Sequence, residues 1–237
     1  MTGLVYKEWK HNRFFILLMI ACGLLPFIMI LYNRDIVTNT DEMYNFRIIC
    51  TVIAFLAAGG IQTMVLMGDD RKIWGYWITA TPEGYRGFIR VKYEMVFAMI
   101  VLFITSLQTF DRLFCAAAAD KGWELTGSIS SVAVPLAFLQ IILRATDIPF
   151  ALRYGNKKGG ITKLIYSIAF VIIISVLILT NAGNFSVILY ESGEKLFTED
   201  NISLALGIVC MIALTAYYLS YRISCRVYLK GVEQYDH

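Results

Sequence analysis

The stretch Ile48–Gly68, IICTVIAFLAAGGIQTMVLMG, is uncharged for 21 consecutive residues and runs straight into Asp69, Asp70, Arg71 and Lys72. At 1.5 Å per residue it forms a helix of about 30 Å, the thickness of the hydrocarbon core of a bilayer. Outward from it, comparable uncharged runs predict membrane spans at residues 14–32, 48–68, 95–113, 125–143, 164–181 and 202–221. The third span extends past Asp111 if that residue pairs with Arg112. The fifth is predicted to stop at Asn181, leaving Phe185 to Tyr190 as a short outer or re-entrant piece. The first run, Phe14–Tyr32, is longer than the roughly 7 to 15 apolar residues of a signal peptide and is read as a retained span. Composition agrees: of 237 residues 58% are hydrophobic and 16% charged, against about 25% charged in soluble domains. The expectation is a single all-α integral membrane domain covering residues 1–237, with no separate soluble part.

Six spans put both termini on one side of the membrane. Of the 21 basic residues, 16 fall in the termini, in the loop at residues 69–93 or in the segment from Arg144 to Lys163. Acidic residues divide 8 to 10, so that face carries a net +8 and the other −5. By the positive-inside rule the termini are cytoplasmic. Trp9, Trp74, Trp77 and Trp123 all fall beside span ends, where tryptophan prefers to sit. The five cysteines lack CxxC spacing and are read as packing residues.

Reactive groups are sparse. His11 lies ahead of the first span and His237 is the last residue, so a histidine-based metal site has no obvious ligands. Gly155-Asn156-Lys157-Lys158-Gly159-Gly160 resembles a phosphate-binding loop only faintly, because no lysine follows the second glycine and the flanks are membrane spans rather than a strand and a helix start. Driven work by this chain would therefore need energy from a partner or an ion gradient. The adjacent carboxylates Asp69 and Asp70 leave two readings: a helix start favoured by the macrodipole, or the metal site of an integral-membrane lipid-modifying enzyme.

The loop at 69–93 is longer than a connector requires. Its first half presents Ile73, Trp74, Trp77 and Ile78 at helical spacing. Thr81 suits an N-cap and Pro82 the first helical position of a second short helix, whose face holds Tyr85, Phe88, Ile89 and Lys92. Such helices can lie on anionic lipid. Two tryptophans and a tyrosine can equally dock a cytoplasmic partner, in a sensor or scaffold as well as in a transporter. Residues 1–13, basic and amphipathic, are predicted to lie along the inner leaflet as an interfacial helix.

The order of these features carries a resemblance. A basic lead-in (Leu4 to Arg13) and six spans are joined by Thr81-Pro82-Glu83-Gly84-Tyr85-Arg86 and Lys92 after the second span. Ile148-Pro149-Phe150-Ala151-Leu152-Arg153-Tyr154-Gly155 follows the fourth, and Ser220-Tyr221-Arg222-Ile223-Ser224 ends the sixth. Over essentially its whole length the chain resembles the type-2 ATP-binding-cassette (ABC) permeases of bacteria. The resemblance implies a non-catalytic subunit of an ATP-driven exporter in the bacterial cell membrane, paired with a second copy of itself or with a related permease and served by a separate cytoplasmic ATPase. ATP and magnesium would bind that partner and no cofactor would bind this chain. The family's coupling helix falls here at about Asp70 to Ala80, which makes Asp70, Arg71, Lys72, Ile73, Trp74, Tyr76 and Trp77 the expected ATPase contacts. Within the family the chain is most similar to small exporters of amphipathic peptide toxins, such as phenol-soluble modulins, or of antimicrobial peptides.

Two intramembrane features remain. Arg144 and Asp147, at i and i+3, follow one apolar run and precede another; they either mark the cytoplasmic end of the fourth span or form a polar site or hinge within the inner leaflet. Ala54 and Ala58 are one small-xxx-small step apart and suit close helix packing, inside the chain or at a dimer seam.

Overall fold

A computed structural model of the chain describes residues 2–32, 40–67, 83–119, 129–180 and 202–233. These are helical almost throughout: α1 (Thr2–Tyr32), α2 (Thr40–Met67), α3 (Gly84–Ala119), α4 (Ser130–Thr180) and α5 (Ile202–Glu233). Among the described residues there is no strand. Four stretches of the described residues are long and apolar enough to cross a membrane: Gly3–Ile28, Tyr44–Leu66, Val132–Tyr154 and Leu206–Tyr228. The expected third span lies inside α3, and residues 164–180 of the expected fifth lie inside α4. The expected coupling helix with Asp70, Arg71, Lys72, Ile73, Trp74, Tyr76 and Trp77, the cap residues Thr81 and Pro82, and the outer piece at 185–190 lie outside the described residues.

The chain divides into two units, Met1–Ile141 and Ile142–His237. In the first, α1 and α3 run parallel and α2 runs against them. Glu8 meets Lys92 at one end, and Phe27 meets Phe110 and Phe114 at the other, with ring centroids 6.5 and 5.6 Å apart. Between these ends Gly23 lets the helices touch, since a Cβ there would stand 2.2 Å from the Ser106 hydroxyl. Met19, Ala54, Ala58, Ile100, Phe103 and Leu107 fill the core. Ala54 and Ala58 are fully buried, so the small-residue step of α2 serves packing within the chain.

Sequence expectations change at three points in this unit. The lead-in is not set off as its own helix: α1 continues from Thr2 to Tyr32, and Glu8 and Asn12 are buried. The second short helix of the loop is the start of α3, and its predicted face turns inward, with Phe88, Ile89 and Lys92 buried beneath α1 instead of covering lipid or a partner. Gly84 opens that helix at a φ of 58°, a left-handed conformation that costs glycine no steric strain. Finally, Asp111 pairs with Arg47 rather than with the exposed Arg112.

The second unit holds α5 and most of α4. Asp147 and Lys163 are 16 residues apart, about 24 Å along a straight helix, yet they form an ion pair. Phe150 and Tyr166, also 16 apart, bring their ring centroids to 5.6 Å. The axis of α4 therefore reverses between them, in the stretch that contains Gly155, Gly159 and Gly160, where glycines ease a change of direction. Two antiparallel arms result. The Ser220 hydroxyl of α5 donates to the Ala145 carbonyl of the first arm at 2.5 Å.

Candidate functional site

The loop expected to meet a partner leaves α2 after Met67 and enters α3 at Gly84. About two turns into α3, the Lys92 ammonium binds the Glu8 carboxylate of α1 at 2.8 Å. The same ammonium donates to the Val65 carbonyl of α2 at 3.5 Å, a longer and weaker contact. Asn12, one turn along α1, donates its side-chain amide to the Glu8 carboxylate at 3.0 Å. The Glu8, Asn12 and Lys92 residues are only 1 to 2% exposed. A buried charge is tolerated when it is paired and hydrogen-bonded, as here. Three helices are thus tied at one point, close to where α2 ends and α3 begins. Phe88 lies within reach of Lys7 and Lys92, whose ammonium groups are 6.0 and 5.7 Å from its ring centroid, adding cation–π attraction on the same seam.

A second buried pair closes the opposite end of α2 and α3. The Arg47 guanidinium donates to Asp111 at 2.5 Å, and Cys115 stands 3.6 Å from it. Arg47 and Val65 are 18 positions apart in α2, and Lys92 and Asp111 are 19 apart in α3. Both intervals correspond to about 27 to 29 Å of helix, close to the ~30 Å of a hydrocarbon core. The two ionic ties therefore bracket an apolar layer of membrane thickness. Each falls where a charge can sit near the headgroups while the helices stay locked together.

In the second unit the sequence-predicted pair is formed: Arg144 and Asp147 are 3.0 Å apart, with side chains 8% and 10% exposed. Both lie inside the apolar stretch Val132–Tyr154 rather than beyond its end. The reversal of α4 adds Lys163 as a second cation on Asp147. Among the described residues, the buried Arg144 Nε and Nη1 atoms have no hydrogen-bond partner. Such unmet donors cost free energy and mark a place where an acceptor can be gained or lost as the structure changes.

Sequence reading supplied Arg144 and Asp147 and grouped Lys92 with Phe88 and Ile89 on one helical face, though it turned that face to lipid or a partner, and it missed Glu8, Asn12, Arg47 and Lys163. A usable signal existed for Arg47 and Asp111. One stands near the start of the second apolar run and the other near the end of the third, so antiparallel neighbours place these opposite charges at one depth.

A family described as ABC-2 family transporter protein matches residues 3–229, which takes in all five helices nearly end to end. No curated protein and no solved structure is similar enough to the chain to match it.

Proposed function

Because the chain belongs to the ABC-2 transporter family, we propose that it is the permease subunit of an ATP-driven bacterial exporter for an amphipathic substrate, a peptide toxin or antimicrobial peptide. ABC-2 permeases are membrane components that generally work with a cytoplasmic ATPase, so ATP and magnesium belong to that partner. Six spans with cytoplasmic termini are proposed on the charge partition, and two permease copies on the resemblance. In keeping with a larger assembly, the apolar stretch Leu206–Tyr228 of α5 is only 11% buried within the chain, leaving a face for lipid or a second copy.

The observation that carries the mechanism is the tie of Glu8, Lys92 and Val65 close to where α2 ends and α3 begins. A coupling helix at 70–80, pressed by Trp74 and Trp77 into the ATPase, would be moved when ATP closes that partner. A loop on slack supports would absorb the motion. Here the exit of α2 and the entry of α3 are fixed to α1, so a push on the loop moves three helices as one body. The Arg144, Asp147 and Lys163 cluster, buried within an apolar stretch, would favour one of the two access states by exchanging partners as that motion arrives.

The test is transport. Inverted membrane vesicles containing the permease and its ATPase should accumulate a fluorescent amphipathic helical peptide when ATP is added. The non-hydrolysable analogue should give none, and equal uptake with and without ATP would contradict the proposal.

A further inference from the structure

The second unit encloses a cavity of about 420 Å³ between the arms of α4 and α5. Its walls are mainly apolar, with Ile142, Ala145, Pro149, Leu219, Ile223 and Val227 among them, and among the described residues Arg153 is the one formally charged side chain that lines it. Two of its hydroxyls are already engaged, Thr146 donating to the Leu143 carbonyl and Ser220 to that of Ala145. The Arg153 guanidinium lies 4.9 Å from the Tyr154 ring centroid, and its buried Nε has no hydrogen-bond partner among the described residues. Tyr166, Leu219 and Ile223 line the cavity and are also 60%, 54% and 51% exposed, so the mouth opens on a surface suited to lipid rather than water.

We propose that this cavity holds one anionic phospholipid of the surrounding membrane, an acyl chain along the apolar wall and the phosphate on Arg153. Charge selects the ligand. Arg153 is a cation on an otherwise apolar wall, and its guanidinium N–H groups call for an acceptor that brings negative charge; phosphate supplies one at charge-assisted strength. Basic pockets between membrane helices hold anionic headgroups in this way. Size selects it too. A volume of 420 Å³ lies in the range of small-ligand pockets, and the open mouth lets the rest of a lipid stay in the surrounding membrane. The inference needs only a membrane-embedded chain and does not depend on the ATPase, the substrate or the orientation.

The full-length protein, stripped of lipid in detergent, is incubated with phosphatidylglycerol or with phosphatidylcholine of identical chains, and bound lipid is counted by native mass spectrometry. The wild type should retain one phosphatidylglycerol per chain with a preference of roughly tenfold. Arg153→Gln should erase the preference and Arg153→Lys should keep part of it. Thr146→Trp, at an exposed wall position, should exclude both lipids while the protein stays monodisperse. That substitution carries the test if Arg153→Gln does not fold. Equal retention of the two lipids by the wild type, or retention unchanged by Arg153→Gln or by Thr146→Trp, would overturn the proposal.

Discussion

Lys92 and Glu8, 84 positions apart in the chain, meet at 2.8 Å with both side chains 3% exposed. Removing Glu8 takes the facing carboxylate from the buried Lys92 ammonium, which for buried pairs costs about 3–5 kcal/mol, whereas Glu8 keeps Lys7 at 3.4 Å when Lys92 is lost. Glu8→Met should lower the unfolding temperature of the purified protein sharply, and Lys92→Met should lower it less. The double substitution Glu8→Met with Lys92→Met should recover most of the loss, because no lone charge is left. If its effects simply add, the two residues do not act as a pair.

The close contact of α1 and α3 rests on the missing side chain at Gly23. In Gly23→Ala the new methyl would collide with the Ser106 hydroxyl and side-chain carbon, and overpacking of this kind costs about 1–3 kcal/mol. Adding Ser106→Ala removes the nearer atom and should restore part of the stability. Thermal unfolding of the two variants side by side checks this.

Arg47 and Asp111 should behave as a second, independent tie. Asp111→Asn leaves the wholly buried Arg47 guanidinium without its counter-charge and should destabilise by about 3 kcal/mol or more. Combined with Lys92→Met, its effect should add, since the two ties stand about 28 Å apart along α3. Strong non-additivity would mean that the ends of the bundle are coupled.

What could be read from the sequence follows from what periodicity encodes. Uncharged runs located the apolar segments, and helical spacing grouped Phe88, Ile89 and Lys92 on one face and paired Arg144 with Asp147 at i, i+3, but it assigned that face to lipid or a partner when it in fact turns inward. Spacing along one helix does not say which charge stands opposite on another. Glu8 against Lys92 and Arg47 against Asp111 are contacts of 84 and 64 residues' separation and depend on which helices pack. The reversal of α4, which brings Lys163 to Asp147, was hidden for the same reason, since three glycines mark a weak point in a helix but not the direction of its turn.

Within the second unit Asp147 holds two cations, and Lys163 is only one of them. Asp147→Ala should therefore depress ATP-driven transport far more than Lys163→Met, which leaves the Arg144 pair in place. Arg144→Ala should alter transport or ATPase stimulation while assembly persists. Vesicle transport at matched protein amounts decides this, and normal rates in both Arg144→Ala and Asp147→Ala would remove the cluster from the mechanism.

The central claim is that this permease is driven through its loop by a separate ATPase. Affinity purification of the full chain from its native membrane, followed by assay of the eluate for ATP hydrolysis, tests it most directly. A co-purifying ATP-binding subunit is predicted, with Trp74→Ala and Trp77→Ala together releasing it while the permease itself remains monodisperse. A chain that elutes without ATPase activity yet transports peptide at full rate would contradict the account.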